Sequence, residues 1–529
     1  MQTDEPVDIL VIGGGVNGAG IARDAAGRGL SVTLAEQGDL AQGTSSRSGK
    51  LIHGGLRYLE YYEFRLVREA LVEREVLLRA APHIVWPLRF VLPHSPGDRP
   101  AWLVRAGLFL YDHLGGRKHL APTRALKLHA SPEGEVVKPE YNRAFEYSDC
   151  WVDDARLVSI NAVAASEKGA SILTRTRCVS ARREGELWHV DLLDVNTGKS
   201  FSILARALVN AAGPWVNEVI SNVSDAQSPG NVRLVKGSHL IIRKFWQGDH
   251  CYLLQNDDKR VIFINPYESE YALVGTTDIA YEGDPSDVTV DDTETEYLLG
   301  VLNRYFINQI TTRDIVSSFS GVRPLYDDSS DNPSAITRDY VFDIDNESGR
   351  TPLLNIFGGK ITTFRKLSEH ALDELAAYFP HMGDPWTSAE PLPGGDMENA
   401  DFDTWFGEFK QRHHSLPESA LQHYARLYGT RADRLLNGVT NLKQLGRHFG
   451  HDLFEIEARF LVDNEWAQTS QDILQRRTKH DLHLSPDEIN VFNNWFESEF
   501  PRPIVSRAGS KKPITKTEPS TLKVEDTLE

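Results

Sequence analysis

Val7-Asp8-Ile9-Leu10-Val11-Ile12-Gly13-Gly14-Gly15-Val16-Asn17-Gly18 decides the fold. A short apolar run of the kind that makes a buried strand ends in glycines spaced G-x-G-x-x-G at Gly13, Gly15 and Gly18. The first glycine allows a tight turn, the second lets backbone approach a pyrophosphate, and the third lets the next helix pack close to the strand. That helix, expected over residues 17–28 and opening at Asn17, points its N-terminal N–H groups and positive dipole end at the phosphates. A second apolar run at 31–35 then delivers Glu36, placed to hold a ribose diol. Strand, glycines, helix, strand and terminal acid in register specify a dinucleotide site.

The rest of the chain is large enough to do more than bind a nucleotide. At 529 residues it holds two to four domains by the usual size relation, and its 40% hydrophobic and 25% charged content is that of a globular protein. The net charge of −18 gives no nucleic-acid footprint and opposes adsorption of the whole molecule to anionic lipid, while leaving room for local basic patches. Cys150, Cys178 and Cys251 have no metal-ligand spacing, so no metal site is expected, and sparse, odd cysteines suit free thiols in a reducing compartment. The first strand begins within a few residues of Met1, which leaves no room for a signal peptide, and no run reaches the length of a spanning helix.

After Glu36, the run Thr44-Ser45-Ser46 offers hydroxyls to phosphates or a ring edge, and Lys50-Leu51-Ile52-His53-Gly54-Gly55-Leu56-Arg57-Tyr58 sets cations and a histidine among small and apolar residues. Residues 63–81 read as a helix with Phe64, Val67, Leu71 and Leu78 on one face. Residues 100–114 are nearly apolar all round, and residues 86–119 carry a net +3. The stretch suits either an interfacial helix or the core of a large domain. Asp153 or Asp154 caps a following helix, and strands are expected near 172–177, 187–193 and 201–210. The last of these ends in Val209-Asn210-Ala211-Ala212-Gly213-Pro214-Trp215, which repeats the opening logic. Aromatic and β-branched strands across 232–277 indicate an antiparallel sheet in a separate layer. Leu353-Leu354-Asn355-Ile356-Phe357-Gly358-Gly359-Lys360-Ile361-Thr362 returns to the nucleotide fold and feeds a helix through Tyr378. Proline and glycine mark 383–395 as a linker. Only helices are expected beyond it, the clearest starting at the capping box Ser485-Pro486-Asp487-Glu488. The polar residues 506–529 read as disordered.

A chain that returns at Gly213 and again at Gly358-Gly359 to complete one site points to FAD, because a long, extended dinucleotide needs several approaches of backbone. Taken with Gly13 to Gly20, Thr44-Ser45-Ser46, Lys50 to Tyr58 and Tyr147 to Arg156, later segments complete a specific pattern. These are Lys236-Gly237-Ser238-His239, Gly275-Thr276-Thr277-Asp278, Ser320-Gly321-Val322-Arg323-Pro324 and Gly358-Gly359-Lys360. The chain resembles the FAD-dependent glycerol-3-phosphate dehydrogenase family in its bacterial, respiratory form, over nearly the whole catalytic region and the helical C-terminal part.

The resemblance implies an α/β, Rossmann-like FAD-binding domain of the glutathione-reductase/amino-acid-oxidase type, with an antiparallel-sheet substrate domain and an all-α C-terminal domain. The expected divisions are 1–81, 150–225 and 350–382 for FAD; 82–149 and 226–349 for substrate and membrane contact; 383–400 for the linker; 401–505 for the helical domain; and 506–529 for the tail. Expected cofactor contacts are Gly13, Gly15, Asn17, Gly18, Glu36, Thr44, Ser45, Ser46, Lys50, Leu51, Gly213, Trp215, Gly358, Gly359 and Thr362. A small doubly anionic substrate needs fixed cations, preferably arginine forks. Arg57, Tyr58, His239, Arg323 and Lys360 are the expected substrate contacts.

Oxidising a secondary alcohol needs a group that takes the hydroxyl proton, and His239 is the first candidate, with His53 and Lys360 left open beside it. The resemblance implies oxidation of sn-glycerol 3-phosphate to dihydroxyacetone phosphate. Electrons would pass to quinone by a protein held peripherally at the inner face of the cell membrane. An oxygen-using glycerol-3-phosphate oxidase, an amino-acid-oxidase-like enzyme and a non-catalytic flavoprotein are the alternatives. A homodimer, and the task of the C-terminal helices, stay open.

Overall fold

Val7–Ile12 is an interior strand, with parallel partners on both sides. Val32–Ala35 lies beside it in one direction and Ser200–Asn210 in the other, with Ile9 opposite both Val32 and Ala207. Ser171–Leu173 and Arg350–Phe357 extend the parallel order outward, and Val341–Glu347 closes one edge antiparallel. Parallel strands need cover on both faces. On one face the helices Val16–Gly27, Asp154–Glu167 and Phe364–Leu375 supply it. On the other, the hairpin Thr176–Glu184/Leu187–Asp194 packs the buried Trp188 against Leu10 and Leu208. The computed structural model describes residues 5–95, 99–224, 226, 228–327, 339–347 and 349–501. The expected tail at 506–529 lies outside the described residues.

A second, ten-stranded sheet carries the strands Val232–Arg243, Cys251–Gln255, Val261–Tyr267, Tyr271–Gly275 and Ile315–Tyr326. It is antiparallel except where Cys251–Gln255 runs parallel to Val85–His94. Leu51–Ile52 and Arg143–Val152 pair with each other in this sheet. The second sheet therefore takes in Leu51–Ile52 from the expected FAD stretch 1–81, and the first sheet takes in Val341–Glu347 from the expected substrate stretch 226–349. Asp153, not Asp154, caps the helix Asp154–Glu167, accepting from the Arg156 N–H at 3.1 Å.

The glycine- and proline-rich stretch expected as a linker is a packed strap. Its backbone is irregular, as those residues require, but Trp386 donates to the Asp24 carbonyl at 3.1 Å and lies under the Arg23 guanidinium, while Leu392 is buried. A side chain at Gly27 would overlap the Trp386 ring.

Beyond the strap, the helices Phe402–Arg412, Glu418–Tyr428, Glu455–Glu465 and Pro486–Glu499 build their own core around Phe409, Tyr424, Leu461 and Phe492. The capping box at Ser485 is formed. Against the expectation of helices alone, His448–Gly450 and Leu453–Phe454 make a small hairpin; Gly446 and Gly450 bend it with φ of +79° and +125°.

The helix Ala101–Leu114 combines both natures expected of its sequence. Leu108 and Tyr111 are buried, whereas Trp102 is 71% and Phe109 64% exposed. Among the described residues no helix is long and apolar enough to cross a membrane.

Candidate active site

The loops at the C-terminal ends of the parallel strands and one face of the antiparallel sheet enclose a cavity of about 1310 Å³. At one end is the turn after Val7–Ile12. Gly13 has φ +110°, and a Cβ there would lie 2.6 Å from the Ala211 carbonyl oxygen; a Cβ on Gly18 would overlap the Gly13 carbonyl. Both positions therefore require glycine, for the turn and for the close strand–helix approach. The Glu36 carboxylate accepts from the Gly14 and Gly38 N–H groups, each at 2.6 Å, and burial raises its pKa against those two bonds. Ser45 Oγ accepts from the Val16 N–H at 3.0 Å, holding the 44–46 turn over the helix start.

Of the expected cofactor contacts, Gly13, Gly15, Asn17, Glu36, Thr44, Ser45, Leu51, Gly213, Trp215, Gly358, Gly359 and Thr362 line this one cavity. Gly18, Ser46 and Lys50 do not. Gly18 acts through packing, and the buried Lys50 ammonium is held by Asp154 at 2.7 Å and by the Ser46 carbonyl at 3.2 Å. Its charge is committed behind the wall.

All the expected substrate and catalytic residues, His53, Arg57, Tyr58, His239, Arg323 and Lys360, line the same cavity. Arg323 Nη1 donates to Asp278 at 2.5 Å, and Nη2 to Thr276 Oγ1 at 3.3 Å. Lys360 Nζ lies 4.0 Å over the Tyr58 ring. His239 extends from the strand Val232–Arg243 and stacks on Phe319 at 4.9 Å. Burial first, then the charges of Arg323 and Lys50, lowers its pKa from 6.5 to about 3. The ring is therefore neutral at neutral pH, and burial and the two cations oppose its protonation.

The unfolded chain takes up a proton at this position below pH 6.5 and the folded chain does not. The contribution of His239 to stability is complete above pH 6.5 and is lost as pH falls toward 3, at up to about 1.4 kcal/mol per pH unit. His239→Asn is expected to shrink the loss of stability between pH 7 and 5 by about 2 kcal/mol, read from urea midpoints at the two pH values.

Two residues that line the cavity are not among the site residues expected from the sequence. Asn265, on Val261–Tyr267, donates to the Gly49 carbonyl at 3.1 Å and leaves a buried Oδ1 without a protein partner. Asp278 holds Arg323. The one trace of Asn265 in the sequence is a polar residue within the otherwise apolar run Val261-Ile262-Phe263-Ile264. Asn17 Oδ1 and His239 Nδ1 are likewise buried without partners, as acceptors and donors set aside for a polar ligand are. A glycine-lined end, an acid after the second strand, and polar atoms along a long cavity fit an extended dinucleotide with FAD's reach.

Comparison with known proteins gives the same answer. Residues 8–359 match the model of the FAD dependent oxidoreductase family, and residues 386–486 match the C-terminal domain of alpha-glycerophosphate oxidase. The chain is 61% identical to the D-erythritol 1-phosphate dehydrogenase of Brucella abortus, over 94% of this chain and 99% of that protein. It is 52% identical to the aerobic glycerol-3-phosphate dehydrogenase of Escherichia coli K12, over 93% and 97%. Among solved structures, the glycerol-3-phosphate dehydrogenase of Bacillus halodurans complexed with FAD superposes with a TM-score of 0.73 at 26% identity, covering 94% and 95% of the two chains. Fold, cavity and relatives converge: the chain is an FAD-dependent oxidoreductase and belongs to the glycerol-3-phosphate dehydrogenase family.

Proposed function

We propose that the chain oxidises the secondary hydroxyl of sn-glycerol 3-phosphate to give dihydroxyacetone phosphate and hands the electrons to a membrane quinone. The observation that carries this reading is the convergence of Arg57, Arg323 and Lys360 with a neutral, buried His239 in one cavity. Bound FAD supplies the hydride acceptor. The cations hold the phosphate and fix the carbon skeleton. His239 takes the hydroxyl proton, and the surrounding positive charge stabilises the developing alkoxide. His53 and Lys360 remain candidates for the same proton.

The relative at 61% identity supports a second reading, in which the substrate is the longer D-erythritol 1-phosphate. The same phosphate grip and base serve both; the difference lies in the space for one more hydroxymethine. Anaerobic addition of each compound to the holoenzyme, watching the flavin band, decides. Bleaching by glycerol 3-phosphate with the higher kcat/KM, and recovery with a soluble quinone, is the expected result. Preference for the four-carbon compound moves the assignment to it. Bleaching by neither, or by amino acids instead, overturns the polyol phosphate reading, and fast oxygen consumption makes the enzyme an oxidase.

For the quinone step, features of the helix Ala101–Leu114 support the reading. Leu103, Gly107 and Leu110 border the cavity, while Trp102 and Phe109 are exposed, as are Tyr61 and Tyr62 just before the helix Phe64–Ala80. An amphipathic helix of this kind lies in a lipid interface with aromatics inserted. The double variant Trp102→Asp/Phe109→Asp is expected to lose sedimentation with lipid vesicles by at least about tenfold while keeping turnover with soluble acceptors. Leu108 is unsuitable for this test, because it is buried in the core.

A further inference from the structure

Outside the cavity, among the described residues, His423, Glu457 and His480 bring three donor atoms together, each within 4.8 Å of the other two. They come from three separate elements: the helix Glu418–Tyr428, the helix Glu455–Glu465 and the turn His480–Leu482. Glu457 and His480 are buried, and His423 is 14% exposed. The Glu457 carboxylate is already aimed. His423 Nε2 lies 2.8 and 3.1 Å from its oxygens, and the Tyr428 hydroxyl donates to Oε1 at 2.7 Å.

An ion pair accounts for His423 and Glu457 but leaves His480 unexplained. His480 Nδ1 is buried with no hydrogen-bond partner, and its ring stands edge-on to His423 at 4.7 Å and to His451 at 5.6 Å. His483, stacked on His451 at 4.4 Å, completes a group of four imidazoles. Aliphatic side chains would fill such a space without unpartnered polar atoms, so a packing role alone does not account for the composition.

We propose that His423, Glu457 and His480 bind one divalent transition-metal ion of the zinc class, with Tyr428 orienting the carboxylate. Two imidazole nitrogens and a carboxylate oxygen are a donor set such ions take, at about 2.0–2.2 Å from the metal. Those bond lengths place tetrahedral donors about 3.3–3.5 Å apart, so His423 and Glu457 open by about half an ångström to admit the ion. Tyr428 supplies the outer hydrogen bond that ligating carboxylates use. None of the three ligands borders the FAD and substrate cavity, so the ion has a structural role.

That role is clamping. The turn carrying His480 meets the antiparallel sheet directly. The Tyr271 hydroxyl donates to the Leu482 carbonyl at 2.8 Å, and His483 packs on the Tyr271 ring. An ion tying the turn to two C-terminal helices would fasten the helical region where it contacts the substrate sheet.

The test uses tag-free FAD holoenzyme, stripped by chelator dialysis and titrated with zinc chloride at pH 7.5 by calorimetry, with metal content measured afterwards. The expected result is one zinc per chain and a higher thermal midpoint with zinc. Affinity should fall at least 100-fold in His480→Ala and in Glu457→Gln, and stay unchanged in His413→Ala, whose ring pairs with Asp433 elsewhere. Equal uptake by wild type and both ligand variants overturns the proposal. If the variants do not fold, the wild type decides. X-ray absorption showing zinc with two imidazoles and a carboxylate oxygen supports it; no uptake, or another donor set, overturns it.

Discussion

Arg323→Ala is expected to lower kcat/KM for glycerol 3-phosphate by about 30- to 5,000-fold, with FAD content unchanged. The range follows from about 2–5 kcal/mol for truncating one member of a buried, hydrogen-bonded charge pair, at 1.36 kcal/mol per decade. Arg323 is held on one side by Asp278 and Thr276, which leaves its fork fixed at the cavity wall. On the proposed function, removing it does more than delete a phosphate contact. The Asp278 carboxylate, 11% exposed, loses the Arg323 guanidinium and faces an incoming dianion. Arg323→Ala/Asp278→Asn should therefore recover part of the loss. Arg323→Lys should recover less than charge alone suggests, since an ammonium lacks the planar fork. Steady-state kinetics with a soluble acceptor, alongside the flavin absorbance, check all three. A loss below about threefold for Arg323→Ala would remove this arginine from the substrate site.

Arg156→Ala is expected to destabilise the protein by about 3–5 kcal/mol without touching the cavity, the cost of orphaning a buried charge. Arg156 sits on the helix Asp154–Glu167 and is 1% exposed. Its guanidinium binds Glu465 with both terminal nitrogens, donates to the Leu427 carbonyl at 3.0 Å and lies 5.0 Å from the Tyr428 ring. One side chain thus bolts the nucleotide unit to two C-terminal helices. Arg156→Met/Glu465→Leu should regain most of the loss, because replacing both partners by apolar groups leaves no charge stranded. The thermal midpoint and urea midpoint of the three proteins measure this directly.

The parallel core was legible because its determinants are local. Strand, glycine turn, helix and acid lie within residues 7–36, and each later return carries its own small-residue signature at Gly213 and Gly358-Gly359. The residues that line the cavity were legible for the same reason, where they are embedded in short motifs. What escaped is what depends on distant pairing. Lys50 reads as a cofactor contact until Asp154, brought beside it by the fold, takes its charge. Asp278 sits in the motif Gly275-Thr276-Thr277-Asp278 with no assigned role until the fold brings Arg323 to it. Proline and glycine at 383–395 report irregular backbone faithfully but not whether that backbone is packed, which Gly27 and Trp386 decide together. The half-buried helix Ala101–Leu114 was ambiguous because its sequence contains two apolar faces, and only the tertiary structure selects which one is covered.

The interleaved strand order also sets a timetable for synthesis. Val7 pairs with Ala205, and Leu208 pairs in turn with Leu353. At about 5–20 residues per second, Val32–Ala35 follows the glycine-bearing first strand within about 5 s, but its other neighbour, Ser200–Asn210, emerges only about 10–40 s later. Throughout that interval Ile9, Leu10 and Val11, none of them exposed in the finished fold, lack the strand on their other side. The sheet and the cavity lined by Gly358 and Gly359 are therefore completed late, and cofactor loading is expected to follow the emergence of that turn. Slowing initiation, which spaces successive nascent chains apart, should raise the yield of soluble holoenzyme more than supplying extra flavin does.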